Sequence, residues 1–187
     1  MPLSEDEIPA YYQHCYEEKP GSAQYGRWRE LCAVGKADHV TALAAAIGCN
    51  EPATLAEVGC GDGSVLAELG RRGFGCERVG LEISRSGAEL AARHREITRV
   101  EVFDGLSIDA EDDAYDLSFA THVLEHVLDP GPLLREMMRC SKAVIIEVPL
   151  ENNLSARRPA ARRTSDAVGH VQRFDRGQIR GLVEELG

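Results

Sequence analysis

Apolar positions along the chain first recur at a helical period and then collect into short runs. Between residues 25 and 47, Trp28, Leu31, Cys32, Val40, Leu43, Ala44 and Ile47 fit a helical repeat, which predicts a helix with these residues on its apolar face and Gly48 as its C-terminal cap. After Pro52 the texture changes to strand, turn, helix, repeated. Residues 54–58, 78–83, 99–103, 115–120 and 143–148 read as strands, with helices starting at Ser64 and running from 84 to 96 between them. Asp129 as N-cap and Pro130 in the first turn predict another helix, with Leu133, Leu134, Met137 and Met138 on one face. A last helix is marked by the capping pair Asp175 and Gln178, by Ile179, Leu182, Val183 and Leu186, and by Gly187 as its cap. Apolar strands alternating with helices predict an α/β fold, a doubly wound and mostly parallel sheet covered on both faces.

The length of 187 residues suits one domain, and 43% hydrophobic with 28% charged residues is the mix of a globular protein. Residues 1–50 read as an N-terminal helical lid and residues 51–187 as the core. The net charge of −10 argues against a general grip on nucleic acid or an anionic membrane. The charge is uneven, because residues 151–180 carry seven arginines against three acids. Six cysteines without a Cys-x-x-Cys pair or a secretory signal read as reduced thiols in a cytoplasmic protein, and no apolar run is long enough to span a bilayer.

The strongest chemical signal is Glu57-Val58-Gly59-Cys60-Gly61-Asp62-Gly63, placed between a strand and a helix. Glycines there allow a tight turn and a close ligand approach at the carboxyl end of the sheet. Glu82 closes the second strand, where a carboxylate can accept hydrogen bonds from both hydroxyls of a ribose. A dinucleotide fingerprint would need a third glycine where Ser64 stands; this chain has an acid followed by Gly-x-Gly-x-Gly.

On these residues the chain resembles the class I S-adenosylmethionine-dependent methyltransferases. LAEVGCGDGSVLAEL is similar to the family's first motif, VGLEIS to the second, VFDG to the third, YDLSFATHVLEHV to the fourth and AVIIEVP to the fifth strand. The resemblance implies a Rossmann-like sheet of order 3-2-1-4-5, S-adenosylmethionine as cofactor and S-adenosylhomocysteine as product. It also implies site residues. Glu57, Gly59, Gly61 and Gly63 would line the methionine and ribose side, with Cys60 a small filler in the loop. Glu82 would bind ribose, Ile83 would pack on adenine, Asp104 and Gly105 would form the adenine side, and Thr121 and His122 would lie beneath the sulfonium. Asp116 would be structural. The family further has two strands after the last helix. Without them the strand at 143–148 is an open edge, so either further chain or a second copy is expected to cover it.

Methyl transfer is an in-line displacement that requires an acceptor atom with a lone pair held in line with the methyl group. His122, Glu125 and His126 stand at i, i+3 and i+4, and His170 could fold back over the same mouth. His126 or His170 could take the acceptor's proton, or both could brace loops. Glu with two His also suits Mg²⁺, Mn²⁺ or Zn²⁺. The Glu-His pattern is similar to the metal-dependent small-RNA 3′-end methyltransferases and to catechol-type ubiquinone-pathway methyltransferases. Those carry an acid at the position of His122, so the expectation is no metal. The reading that results is methyl transfer to oxygen or nitrogen of a small-molecule acceptor. Its rivals are metal-assisted RNA 2′-O-methylation, a nicotinamide-dependent oxidoreductase and a non-catalytic nucleotide-binding subunit. The N-terminal tyrosines with Tyr25 and Trp28 form either a lid or a helix packed on the sheet. Arg157, Arg158, Arg162 and Arg163 form either an anion site or a solvated loop.

Overall fold

The computed structural model describes residues 23–153 and 169–186, together with Ala10, Tyr11, Gln13 and Arg158. Helix α1 (Ala23–Ala46) leads into β1 (Thr54–Val58), α2 (Ser64–Arg71), β2 (Glu77–Glu82), α3 (Arg85–Ala91) and β3 (Arg99–Val102). Then follow β4 (Leu117–Thr121), a 3₁₀ turn (Leu124–His126), α4 (Pro130–Cys140), β5 (Val144–Glu147) and α5 (Arg176–Leu186). The strands pair in parallel in the order β3-β2-β1-β4-β5.

Strand periodicity divides the core between two faces. Ala56 and Val58 of β1 join Val79, Leu81, Leu133, Leu134 and Met137 on the side of α4 and α5. Leu55, Leu117 and Phe119 point the other way, onto Leu66 and Leu69 of α2 and Ala33, Ala37 and Val40 of α1. Each of these fully buried Leu and Phe side chains contributes about 1.5–3 kcal/mol of transfer free energy. Because the strands are parallel, the turns after β1, β2, β3 and β4 all open at one end of the sheet. That end is where an open α/β sheet holds its ligands.

Local chemistry fixes the element ends. Gly48 takes φ +79° to close α1, and the Cys49 N–H reaches back to the Ala44 carbonyl at 2.8 Å. The Asp129 carboxylate caps α4 by accepting from the Gly131 N–H. Asp175 and Gln178 exchange side-chain-to-backbone bonds of 2.9 Å at the start of α5. Asp116 accepts from the Ala53 and Thr54 N–H groups and pairs with Lys142, tying β4 to the start of β1.

Several expectations need correction. The buried stripe of α1 is Ala33, Ala37, Val40 and Ala44, whereas Trp28 and Leu31 are 57% and 64% exposed and Leu43 and Ile47 also face solvent. The helix packs closely on α2 and the sheet, where only small side chains fit, so its large apolar residues turn outward. Helix α3 ends at Ala91, five residues short of the expected end. Met138 of α4 and Val183 of α5 are exposed. Tyr115 stands outside β4 and forms an isolated bridge with Ser141. Tyr12, Tyr16, the side chain of Tyr25, Arg157, Arg162, Arg163 and Gly187 lie outside the described residues, and Arg158 is exposed.

Candidate active site

The turn after β1 is bent by three glycines with positive φ: Gly59 at +70°, Gly61 at +58° and Gly63 at +77°. The N–H groups of Gly59 and Cys60 both donate to the Leu81 carbonyl, at 2.8 and 3.0 Å, which turns the chain off the end of the strand. A Cβ on Gly59 would come within 2.6 Å of Val123 Cγ2, so this turn and the one after β4 are in direct contact. Gly59, Cys60 and Gly61 border a cavity of about 1210 Å³. Gly63 does not border it; its bare Cα instead faces Ala91 and Ile97. The Cys60 thiol is buried against Gly80, and burial pushes its pKa up, so it acts as a filler rather than a nucleophile.

Two acids back this turn. Glu82 accepts from the Gly61 N–H at 2.8 Å and from the Ser84 N–H at 2.9 Å. Its burial raises the carboxyl pKa, and those N–H groups oppose the rise. Carboxylate oxygens accept more than one donor each, so a braced Glu82 still has capacity for ligand hydroxyls. Glu57 is 2% exposed and accepts from the Leu66 N–H at the head of α2. Burial pushes its pKa up to about 8; Lys36 and the Leu66 N–H pull it down, and Asp62 and Glu82 push it up. Glu57 therefore holds a proton at neutral pH. Arg29 of α1 reaches Asp62 at 2.8 Å, clamping the helix to the glycine turn.

Ile83, Asp104, Gly105, Thr121 and His122 border the same cavity. The Leu106 and Ser107 N–H groups each donate to the Asp104 carboxylate at 2.7 Å and hold its pKa below the usual range. A Cβ on Gly105 would lie 3.3 Å from Ile83, so these two residues form one wall. His122 adopts φ +58°, a left-handed conformation unfavourable for a residue with a Cβ. Strain of this kind collects at functional sites.

From His122, which borders the cavity, a chain of alternating imidazoles and carboxylates runs into the protein. His122 Nε2 lies 3.2 Å from Glu147 at the end of β5, and Glu147 also bonds His39 of α1 at 2.8 Å. His122 Nδ1 is 3.3 Å from Oε1 of Glu125, and His170 Nε2 is 4.0 Å from that same oxygen. His170 bonds Glu151 through Nδ1 at 2.8 Å, and His126 bonds the Gly169 carbonyl through Nδ1 at 3.1 Å. The return segment is pinned by the Val171 and Gln172 N–H groups, which both donate to the Glu125 carbonyl. His170 is thus brought against the 3₁₀ turn, although only His126 of the two borders the cavity. Desolvation, ahead of every other influence, lowers the pKa of His126 and so favours the neutral imidazole.

His39, Glu147 and Glu151 belong to this network and had no signal in the sequence, since each stands alone in its own segment. Trp28, Arg29 and Lys36 of α1 also border the cavity. Among the described residues no helix is long and apolar enough to cross a membrane.

A family model for a methyltransferase domain matches residues 25–187. No curated protein matches the chain. Among solved structures, a SAM-dependent methyltransferase from Thermotoga maritima is similar, with a TM-score of 0.71 at 19% identity over 94% of this chain and 80% of that one. Magnesium protoporphyrin IX methyltransferase from Synechocystis PCC 6803, solved with bound SAH, gives a TM-score of 0.69 at 14% identity over 98% and 89% of the two chains. A SAM-dependent methyltransferase from Archaeoglobus fulgidus gives 0.58 at 20% identity over 71% and 59%.

Proposed function

The chain belongs to the methyltransferase-domain family, and from that premise we propose that it methylates an oxygen or nitrogen of a small-molecule acceptor bound in the cavity just described. It is a class I S-adenosylmethionine-dependent methyltransferase. The observation that carries the acceptor reading is the cavity itself: one space of about 1210 Å³ is bordered both by the glycine turn with Glu82 and by His122 and His126. That volume exceeds the usual 300–1,000 Å³ of a small-molecule pocket, leaving room for an acceptor beside a nucleoside ligand.

S-adenosylmethionine, when bound, supplies a methyl group made electrophilic by its sulfonium. The chain's own residues divide the remaining work. Glu82 accepts the ribose hydroxyls while bracing the turn through Gly61. Ile83 and Gly105 would flank the adenine, Asp104 would meet its polar edge, and Glu57, Gly59, Gly61 and Thr121 would border the methionine end. His122 turns its ring toward Glu125 and Glu147 and would lie beneath the reacting centre. The acceptor's proton passes to the Glu125–His126–His170 cluster, in which His126 is the member at the cavity wall. Residues 1–50 act as the lid in this reading, which is supported by the Ser86 N–H donating to Gln13 Oε1 and the Ser86 hydroxyl to the Gln13 carbonyl at the start of α3. A second copy pairing along β5 is a further expectation, read by light scattering as a doubled mass.

Calorimetric titration with S-adenosylhomocysteine tests the cofactor assignment, with saturable one-to-one binding as the expected result. No heat together with no thermal shift would refute it. Turnover is then followed as S-adenosylhomocysteine release against small hydroxy and amino acceptors and a short RNA. Methylation of the RNA alone would overturn the acceptor class.

A further inference from the structure

Glu125 is 1% exposed, and among the described residues neither of its carboxylate oxygens has a hydrogen-bond partner; His122 Nδ1, 3.3 Å from Oε1, pairs with it only as an ion pair. A buried carboxylate in that condition is costly, and native proteins rarely leave one so. His126 and His170 converge on it: one ligand atom from each of the three residues lies within 4.8 Å of the others. The two rings meet edge to face, with centroids 4.8 Å apart and planes at 76°.

The far side of each ring is equally informative. The Gly169 carbonyl can only accept, so the proton of His126 sits on Nδ1 and the lone pair on Nε2. The Glu151 carboxylate does the same for His170, whose Nε2 is the nitrogen directed at Glu125. An outer oxygen that fixes the tautomer and aims the other nitrogen inward is the arrangement found behind metal-ligating histidines. The position of His170 is fixed as well, since Val171 and Gln172 anchor its segment to the Glu125 carbonyl.

We infer that Glu125, His126 and His170 form a binding site for one divalent transition-metal ion of borderline softness, such as Zn²⁺, Co²⁺ or Mn²⁺. A carboxylate and two imidazoles are the donor set such ions prefer, and three protein ligands leave a further position open. Ligands at about 2.1 Å from a tetrahedral ion sit roughly 3.4 Å from one another, so the observed spacing of up to 4.8 Å must close by up to about 1.4 Å. Of the three, His126 borders the cavity, and an open position on its side would be reached from the acceptor end. A water bound there and ionised to hydroxide would take the acceptor's proton and become water again, in place of a bare imidazole. This inference rests on the same cluster as the proposed proton acceptor, but its test needs neither cofactor nor turnover.

The full chain, stripped by dialysis against a chelator, is titrated with Co²⁺ and followed by its visible d–d absorption. One equivalent per chain is expected, displaced by Zn²⁺. Glu125→Gln and His170→Gln should each weaken binding at least tenfold, Glu151→Gln by about tenfold through the orientation of His170, and His94→Gln not at all. Far-UV circular dichroism and S-adenosylhomocysteine binding on the same variants establish that they fold. His170 sits on the return segment outside the core, so its variant stays informative if Glu125→Gln does not fold. The absence of a saturable band in the wild type, or a band that survives His170→Gln in a folded chain, would overturn the site.

Discussion

Replacing Gly59 with Ala tests the contact between the turn after β1 and the turn after β4. Two costs arise. At φ +70° an added Cβ meets the following carbonyl oxygen, a cost of roughly 1–2 kcal/mol. The same Cβ would also stand 2.6 Å from Val123 Cγ2 and 3.2 Å from Cγ1, and overpacking of this kind costs about 1–3 kcal/mol. Gly59→Ala should therefore lower the unfolding free energy by about 2–5 kcal/mol. In a Val123→Ala background both offending methyl groups are gone and the nearest remaining atom, Cβ, is at 3.5 Å, an ordinary contact. Only the backbone cost remains there, so the double-mutant cycle should give a favourable coupling of about 1–3 kcal/mol. Urea unfolding of the four chains, extrapolated linearly, measures it. If Gly59→Ala costs the same in both backgrounds, Val123 plays no part in the glycine requirement and the proposed abutment of the two turns is wrong.

Two further outcomes are expected. Glu82→Ala removes the acceptor shared by Gly61 and Ser84 and should weaken S-adenosylhomocysteine binding more than tenfold while lowering stability by about 1.5–3 kcal/mol for each lost charged hydrogen bond; undiminished affinity by calorimetry would sink the ribose role. Glu57 has a folded pKa of about 8 against 4.5 for the free group, so the folded chain holds a proton that the unfolded chain has released. Stability of the cofactor-free protein should then fall as pH rises from about 4.5 to 8, by up to about 1.4 kcal/mol per pH unit from this group, and level off above 8. Glu57→Gln should flatten that slope in urea midpoints taken at unit pH intervals, and an unchanged slope would place the proton elsewhere.

How much could be read in advance depended on whether a signal was local. The apolar run at 54–58 matched β1 residue for residue, because a strand buried on both faces announces itself by composition. The caps at Asp129 and at Asp175 with Gln178 were legible since each is chemistry among neighbours in sequence. The face of α1 was misread for an equally physical reason. Hydropathy ranks Trp28 and Leu31 above Ala33 and Ala37, but close packing selects for size, and only alanine and valine fit. In the candidate site, Gly59, Gly61 and Glu82 could be put at strand ends because each closes a recognisable element, whereas Asp104 followed only from the resemblance. The imidazole–carboxylate network could not, because His39, Glu147 and Glu151 lie far apart in sequence and meet only through the fold.

The strand order has a consequence for how the molecule is made. Synthesis delivers β1 first, and β1 lies at the centre of the sheet. The second strand adds to one side of it and the third to the outside of the second. The fourth strand then pairs on the other flank of β1, and the fifth adds outside the fourth. Every strand leaving the ribosome thus finds a free edge waiting, and no pair already formed has to be broken to admit a later arrival. Pairing across the 58 residues between β1 and β4 is slow for reasons of chain entropy, but on a vectorially growing chain it is never obstructed.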